Sequence, residues 1–362
     1  MVRMTPPFST LGAPADAPFG ARFESVGAVV PERRVTSKEL MARVRTTGRL
    51  SLEGLTGIRE RRVCGEGEDS YTLAVGAAEE CLQHSSHSAA DLEMIVCCSI
   101  SRYKDGLNHV FEPALALYVR DAVGAHGALA FDISNACAGM LTGVYIVSDF
   151  IRRGVISRGM VVSGEYITSL SENAVPHVRT PLSRQLPSLT LGDCGAAVIV
   201  ERGDPGPGAL MTGGFVTVAR WAGLCTGGAS AVAPGGEMIT HARKLQEAAV
   251  AATPPVLRRA LAAWGVDITE IDHVIPHQTS SRAISAGTLL LTRRLGGAPE
   301  NVVVNVTDYG NTASTSHFLA LYRMLQDGRL RHGEKVMLIG LASGLVMGVV
   351  GFEVDGLAER YG

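Results

Sequence analysis

The sequence predicts an α/β protein built as two similar halves, each a mainly parallel sheet covered by helices. Three observations carry that prediction. Apolar strand-like runs alternate with amphipathic helical ones along most of the chain, the pattern of parallel sheets with helical crossovers. A faint internal repeat then sets Asp91-Leu-Glu-Met-Ile-Val-Cys-Cys, a strand at 129–133, a helix after Cys137, a strand at 159–163 and a Gly turn at 192–200 beside a second series. The second series is Glu270-Ile-Asp-His-Val-Ile-Pro-His, 302–306, 315–326, 335–339 and the turn 343–348 running into 349–354. Finally, residues 203–208 hold three Gly and two Pro, a break between the halves.

In chain order, residues 1–20 read as a flexible leader, 21–204 as the first half and 205–362 as the second. A strand is expected at 23–30, closed by Pro31, and a helix from Ser37, with Ser37 as its N-cap and Glu39 following. Thr56-Gly-Ile-Arg-Glu-Arg-Arg reads as a turn into a basic, exposed strand. A helix at 71–83 precedes 92–99, an apolar run suited to a strand buried on both faces. A helix at 114–123 follows Glu112-Pro113. Residues 169–187, polar and Pro-containing, fit a loop or small insertion. The helical stretch 244–264 is expected to break at Pro254-Pro255.

Composition narrows the function. The 362 residues are 46% hydrophobic and 19% charged with a formal net charge of −2, which describes a large core and argues against general nucleic-acid or membrane-surface binding. The short basic clusters are expected at helix ends or on solvated faces. Seven cysteines without a Cys-x-x-Cys spacing fit a reducing compartment and neither a disulfide framework nor a zinc ribbon. No signal peptide or membrane-spanning run is read, so a cytoplasmic protein is expected. No metal site is expected either, because Pro276 disfavours a helix through His273 and His277.

Parallel α/β sheets gather their functional groups at strand carboxyl ends. The repeat places Cys137, His277 and Asn311 there, with Cys137 and Asn311 at equivalent strand-to-helix junctions. Cys137 joins an apolar strand to an apolar helix, where amides at a helix N-terminus favour thiolate. Read singly, each residue has an ordinary alternative: a small buried hydrophobe for Cys137, a satisfied core histidine for His277, a turn for Asn311.

Several motifs, in order, resemble the thiolase-superfamily condensing enzymes of the β-ketoacyl synthase III type. They are Thr56-Gly-Ile-Arg-Glu-Arg-Arg, Asp132-Ile-Ser-Asn-Ala-Cys-Ala-Gly, Leu191-Gly-Asp-Cys-Gly-Ala-Ala-Val, Pro276-His-Gln-Thr-Ser-Ser-Arg and Gly310-Asn-Thr-Ala-Ser. The resemblance implies a five-layered thiolase fold, a homodimer and Claisen condensation of acyl thioesters, with acyl-CoA or acyl-carrier protein as substrate and no further cofactor. It implies Cys137 as the acylated nucleophile, and His277 and Asn311 as hydrogen-bond donors to the carbonyl of the second thioester. The backbone N–H groups of Cys137 and Ser343 would form an oxyanion hole. Arg282 matches an arginine associated with docking an acidic carrier protein, and Ser280 stands where relatives carry Asn.

The chain lacks the Trp and Arg that hold the CoA adenine in typical members, and Ala342-Ser343-Gly344 replaces a triple glycine. These departures favour a carrier-protein donor. Phe131-Asp-Ile-Ser-Asn-Ala-Cys and Leu341-Ala-Ser-Gly-Leu further resemble the olefin-pathway branch that joins two acyl chains head to head. In that branch a Glu-Pro glutamate serves the partner subunit's site as a base, and Glu112-Pro113 stands 25 residues before Cys137. The plain reading of Glu112 is helix N-terminal charge. Acyl transfer to an oxygen or nitrogen nucleophile and a vestigial partner subunit complete the alternatives.

Overall fold

The computed structural model describes residues 17–45, 50–206 and 208–362; the expected leader falls largely outside them, and Gly20 already opens the first strand. The first sheet contains β1 (Gly20–Val29), β2 (Met94–Cys97), β3 (Leu129–Asp132), β4 (Arg158–Glu165) and β5 (Cys194–Gly203), in the order β1-β5-β4-β2-β3. The second contains β6 (Val216–Thr217), β7 (His273–Pro276), β8 (Asn301–Val302), β9 (Lys335–Ala342) and β10 (Val346–Glu353), in the order β6-β10-β9-β7-β8. The two orders match strand for strand. In each, three parallel strands are extended by two antiparallel ones.

Six helices make three further layers. α1 (Ser70–Gln83) and α2 (Leu115–Val123) cover the outer face of the first sheet, where Ala77 and Val119 meet Ile95, Met160 and Ile199. α3 (Gly139–Arg152) and α6 (Ser316–Gln326) fill the middle, burying Leu141, Val144, Phe318 and Leu321 against Val96, Val198, Leu338 and Val350. α4 (Ala242–Trp264) and α5 (Ser281–Leu295) cover the far face, where Leu257 and Ala260 meet Val274, Met337 and Ile339. Alternation explains the apolar runs: Val96 faces the middle layer and Ile95 the outer one, so neither strand face can be polar.

Several local expectations need correction. The first short helix, Ser37–Ala42, is capped by Thr36 and not Ser37, because the Thr36 hydroxyl and the Glu39 carboxylate satisfy each other's backbone N–H in a capping box. α4 runs unbroken through Pro254 and Pro255. The carbonyls those prolines leave unpaired, at Val250 and Ala251, belong to exposed residues, and the Thr253 hydroxyl donates to the Ala249 carbonyl. The strand expected at 302–306 is only Asn301–Val302, since Val306–Tyr309 turns helical. One basic cluster is not wholly a solvated face: Arg61 within it is 1% exposed. Arg152-Arg153 ends α3 as expected, with Arg152 buried and donating to Thr212 and to the Leu210 carbonyl. The insertion after β4 holds a short helix, Ser169–Ala174, and packs beneath a hairpin of Cys225–Ala229 and Gly236–Thr240.

Candidate active site

The central helices α3 and α6 begin side by side: a Cβ built on Gly139 would stand 3.7 Å from that of Ser314. Each helix is led in by one 3-10 turn, Ala136–Ala138 and Ala313–Thr315, whose first alanine has a positive φ of 45° and 54°. Non-glycine residues rarely adopt that conformation, and it concentrates at functional sites. The register corrects the repeat. Cys137 precedes α3 by two residues as Ser314 precedes α6, so Ser314 is its counterpart and Asn311 lies one turn earlier.

The Cys137 side chain packs on Ala342 and Val346, which flank the turn holding Ser343, and on Ile167, Leu191 and Ala313 with Leu170 and Met238 beside them. This apolar setting reverses the expected electrostatics. Burial, with Cys225 and Glu165 nearby, pushes the thiol up to about 12, and no cation offsets it.

His277 follows the end of β7 and continues its ladder, its N–H donating to the Ile339 carbonyl at 2.8 Å. Its ring Nδ1 lies 3.0 Å from the Ser316 hydroxyl, and the ring stacks on His317 with centroids 5.7 Å apart. Burial and the neighbouring imidazole pull His277 down to about 3, so it is neutral at physiological pH. His317 donates through Nε2 to the same Ile339 carbonyl, and burial lowers it to about 4.

Asn311 is held by its backbone against residues 190–192: its N–H donates to the Thr190 carbonyl at 2.8 Å and its carbonyl accepts from Gly192 at 3.1 Å. The side-chain Oδ1 accepts from the Ala313 N–H at 3.0 Å, which leaves the NH2 group to donate. This contact requires glycine on both sides. A Cβ on Gly192 would fall 2.0 Å from the Tyr309 carbonyl oxygen, and one on Gly310, at φ 68°, 2.8 Å from that of Thr190.

Cys137, His277, Asn311 and Ser343 therefore meet where the two halves join. Glu112 does not join them; it is exposed beside Phe111, which is 81% exposed. Nor does it cap α2, whose Leu115 and Ala116 N–H groups donate to Asp132 at 3.0 and 2.9 Å. Ser280 spends its hydroxyl capping α5 through the Ala283 N–H, and Arg282 is exposed in the first turn of that helix.

Three buried polar residues around the site escaped the sequence reading. Glu165, at the end of β4, accepts from the Ile100 and Ser101 N–H groups and from the Ser101 and Ser314 hydroxyls, and burial raises its pKa. Asp193 accepts from Cys64 and Thr168, and burial lifts it to about 6. Gln278 donates to the Pro276 and Val303 carbonyls and accepts from Asn305 and Val306, tying the histidine loop to the asparagine loop. All three sit at strand ends within motifs already quoted or one residue off an apolar run, the signal that could have found them. Among the described residues no group of three His, Cys, Asp or Glu is placed to hold a metal, and no helix is long and apolar enough to cross a membrane.

Two family models match the chain: 3-oxoacyl-[acyl-carrier-protein] synthase III over residues 131–213 and its C-terminal counterpart over 261–354. A β-ketoacyl-[acyl-carrier-protein] synthase III of Symbiobacterium thermophilum is 30% identical over 344 residues, covering 90% of this chain and 95% of that protein. This chain belongs to the β-ketoacyl-[acyl-carrier-protein] synthase III family. The same enzyme of Rubrobacter xylanophilus is 31% identical, covering 88% and 94%. OleA of Xanthomonas campestris superposes with a TM-score of 0.80 at 22% identity, covering 95% of this chain and 100% of that one. FabH of Xanthomonas oryzae pv. oryzae does so with 0.80 at 24%, covering 92% and 99%. The five layers are thus the thiolase fold, and the chain is an acyl-transferring enzyme that performs Claisen condensation on acyl thioesters.

Proposed function

We propose that this β-ketoacyl synthase III-like enzyme works through an acyl group carried on Cys137. The observation that supports it is the meeting of Cys137, His277 and Asn311 at the paired starts of α3 and α6. In the first step the Cys137 sulfur attacks a thioester carbonyl, the new C–S bond replaces the old one, and the departing thiol takes the proton. The N–H groups of Cys137 and Ser343 receive the transient oxyanion. Such oxyanion donors are worth about 3–4 kcal/mol each. Ile167, Leu170, Leu191 and Met238 provide an apolar wall for the acyl chain.

In the second step an enolate carbon of another thioester attacks the acyl carbonyl, and the Cys137 thiolate leaves. A neutral His277 suits this step. With the Ser316 hydroxyl donating to Nδ1, the proton stays on Nε2, where it and the Asn311 NH2 converge on the enolate oxygen. We assign a carrier protein as acyl donor: Arg282 begins and Arg293 and Arg294 end the exposed side of α5.

Glu112 favours a second reading, head-to-head joining of two acyl chains. A malonyl group generates its own enolate by losing CO2, whereas an ordinary acyl α-carbon needs a base. With Asp132 capping α2, Glu112 is left to reach a second subunit across the exposed edge of β3.

Incubation with an acyl thioester followed by intact mass measurement tests the covalent step. An adduct is expected on the wild type and not on Cys137→Ala; an adduct that survives that substitution sinks the reading. Non-carboxylated thioester pairs decide the branch: if Glu112→Ala condenses them as fast as wild type, the glutamate reading fails. CO2 release matched to product supports the decarboxylative reaction, and a product without a new carbon–carbon bond supports acyl transfer.

A further inference from the structure

Among the described residues Arg61 is the most deeply buried arginine or lysine, and it has no carboxylate partner there. It is 1% exposed, and desolvation alone acts on it, lowering its pKa to about 10 without discharging it at neutral pH. A buried charge without an opposite charge beside it is costly, and its hydrogen bonds offset only part of that cost. Its fork reaches two separate segments. Nη1 donates to the Val35 carbonyl at 3.4 Å, and Nη2 donates to the Ser37 hydroxyl at 3.2 Å and to the Leu189 carbonyl at 3.1 Å.

The Leu189 contact leads straight to the site, because the next residue's carbonyl accepts the Asn311 N–H. The stem of Arg61 supports the same loops: its Cβ would lie 3.1 Å from a Cβ on Gly192 and equally from one on Gly310. The flanking chain is laced in likewise. The Arg59 N–H donates to the Thr307 carbonyl at 2.8 Å, and the Arg62 carbonyl accepts from Asp193 at 2.9 Å. One short strand, Glu60–Arg62, thereby clamps both the 189–193 strap and the 307–311 loop from behind.

We propose that Arg61 is a positioning residue for the condensation step: it fixes the strap on which Asn311 is registered. The inference rests on the assignment of Asn311 above. It follows that Arg61 matters most when Asn311 meets the second thioester and less when Cys137 is acylated, since Cys137 touches the strap only at Leu191 and also rests on Ala342 and Val346, which lie on a different strand pair.

The test is a double-mutant cycle on the full-length chain with Arg61→Gln and Asn311→Ala, scored separately for acyl-Cys137 formation by intact mass and for condensation by kcat and KM. Arg61→Gln is expected to keep acylation within about threefold and to lower condensation kcat about tenfold to hundredfold with KM nearly unchanged. In the Asn311→Ala background the same change is expected to cost less than about twofold, because coupled groups are not additive. Arg61→Lys, which keeps the charge and loses the fork, is expected to fall between, and it serves as the probe if the Gln variant does not fold. Additive losses, an equal fall in acylation and condensation, or a folded variant with full condensation overturns the proposal. A wild type that never acylates Cys137 would instead overturn the underlying reading of the site.

Discussion

At the scale of single residues, the reactive groups rest in their uncharged forms. A thiol at about 12 beside an imidazole at about 3 is not a preformed thiolate–imidazolium pair. The thiolate fraction of Cys137 is therefore small at neutral pH and grows with pH. Alkylation by iodoacetamide in the free enzyme is expected to be slow at pH 7 and to rise about tenfold per unit up to pH 9 without a plateau. A rate already flat above pH 7 would mean a lowered thiol instead. The sequence led to the opposite expectation because it displays the helix and not the wall of Ile167, Leu191 and Ala313 that desolvates the sulfur. In the proposed mechanism His277 draws its role from the same burial, as a neutral donor whose proton the Ser316 contact directs. Asn311→Ala is expected to lower condensation about 100- to 1000-fold, the usual cost of one such donor, while acyl-Cys137 still forms. Loss of the adduct in a folded Asn311→Ala enzyme would assign the residue to acylation.

At the scale of elements, much was legible where periodicity and end signals agree. The repeat found the strands that became β2, β4, β7 and β9, because strands buried on both faces are written as unbroken apolar runs. What escaped depends on contacts between distant segments. Arg61 reads as one of four charges in an exposed strand, and only the strap at 189–193 makes it interior. Pro254 and Pro255 read as a break, and only the exposed carbonyls of α4 make them tolerable. The glycine motif shows how such a contact sets function. A methyl on Gly192 would overlap the Tyr309 carbonyl, so Gly192→Ala must push the 307–311 loop away from the strap. We expect that change to cost stability by about 1–3 kcal/mol, the range for overpacking, and to lower condensation more than acylation. Thermal melting with the two partial reactions checks it; an unchanged ratio of the two rates would show that the strap does not set Asn311.

At the scale of the whole molecule, the halves share one central layer, and the site lies where both contribute, so neither sheet alone presents Cys137 with His277 and Asn311. The first sheet still ends on an open edge. β3 has β2 on one side and no strand among the described residues on the other, and Leu129 on it is 58% exposed. An unpaired edge with an exposed apolar side chain is a liability unless covered, and pairing with a second copy about a two-fold axis would cover it isologously. The same pairing would bring the Phe111-Glu112 segment, anchored to the end of β3 through Asp132, against the neighbouring molecule. Edge and glutamate thus make one joint prediction. If two copies pair through this edge, Leu129→Lys, on the open edge and away from Cys137, is expected to leave the protein monomeric in sedimentation where the wild type sediments as a dimer. If Glu112 acts across that interface, the monomer should retain acyl-Cys137 formation and lose condensation of two non-carboxylated thioesters. Mixing Glu112→Ala with Cys137→Ala subunits should then restore part of that activity, since one hybrid site combines an intact cysteine with an intact glutamate from its neighbour. No restoration in a demonstrated heterodimer would confine each active site to its own chain and remove Glu112 from the reaction.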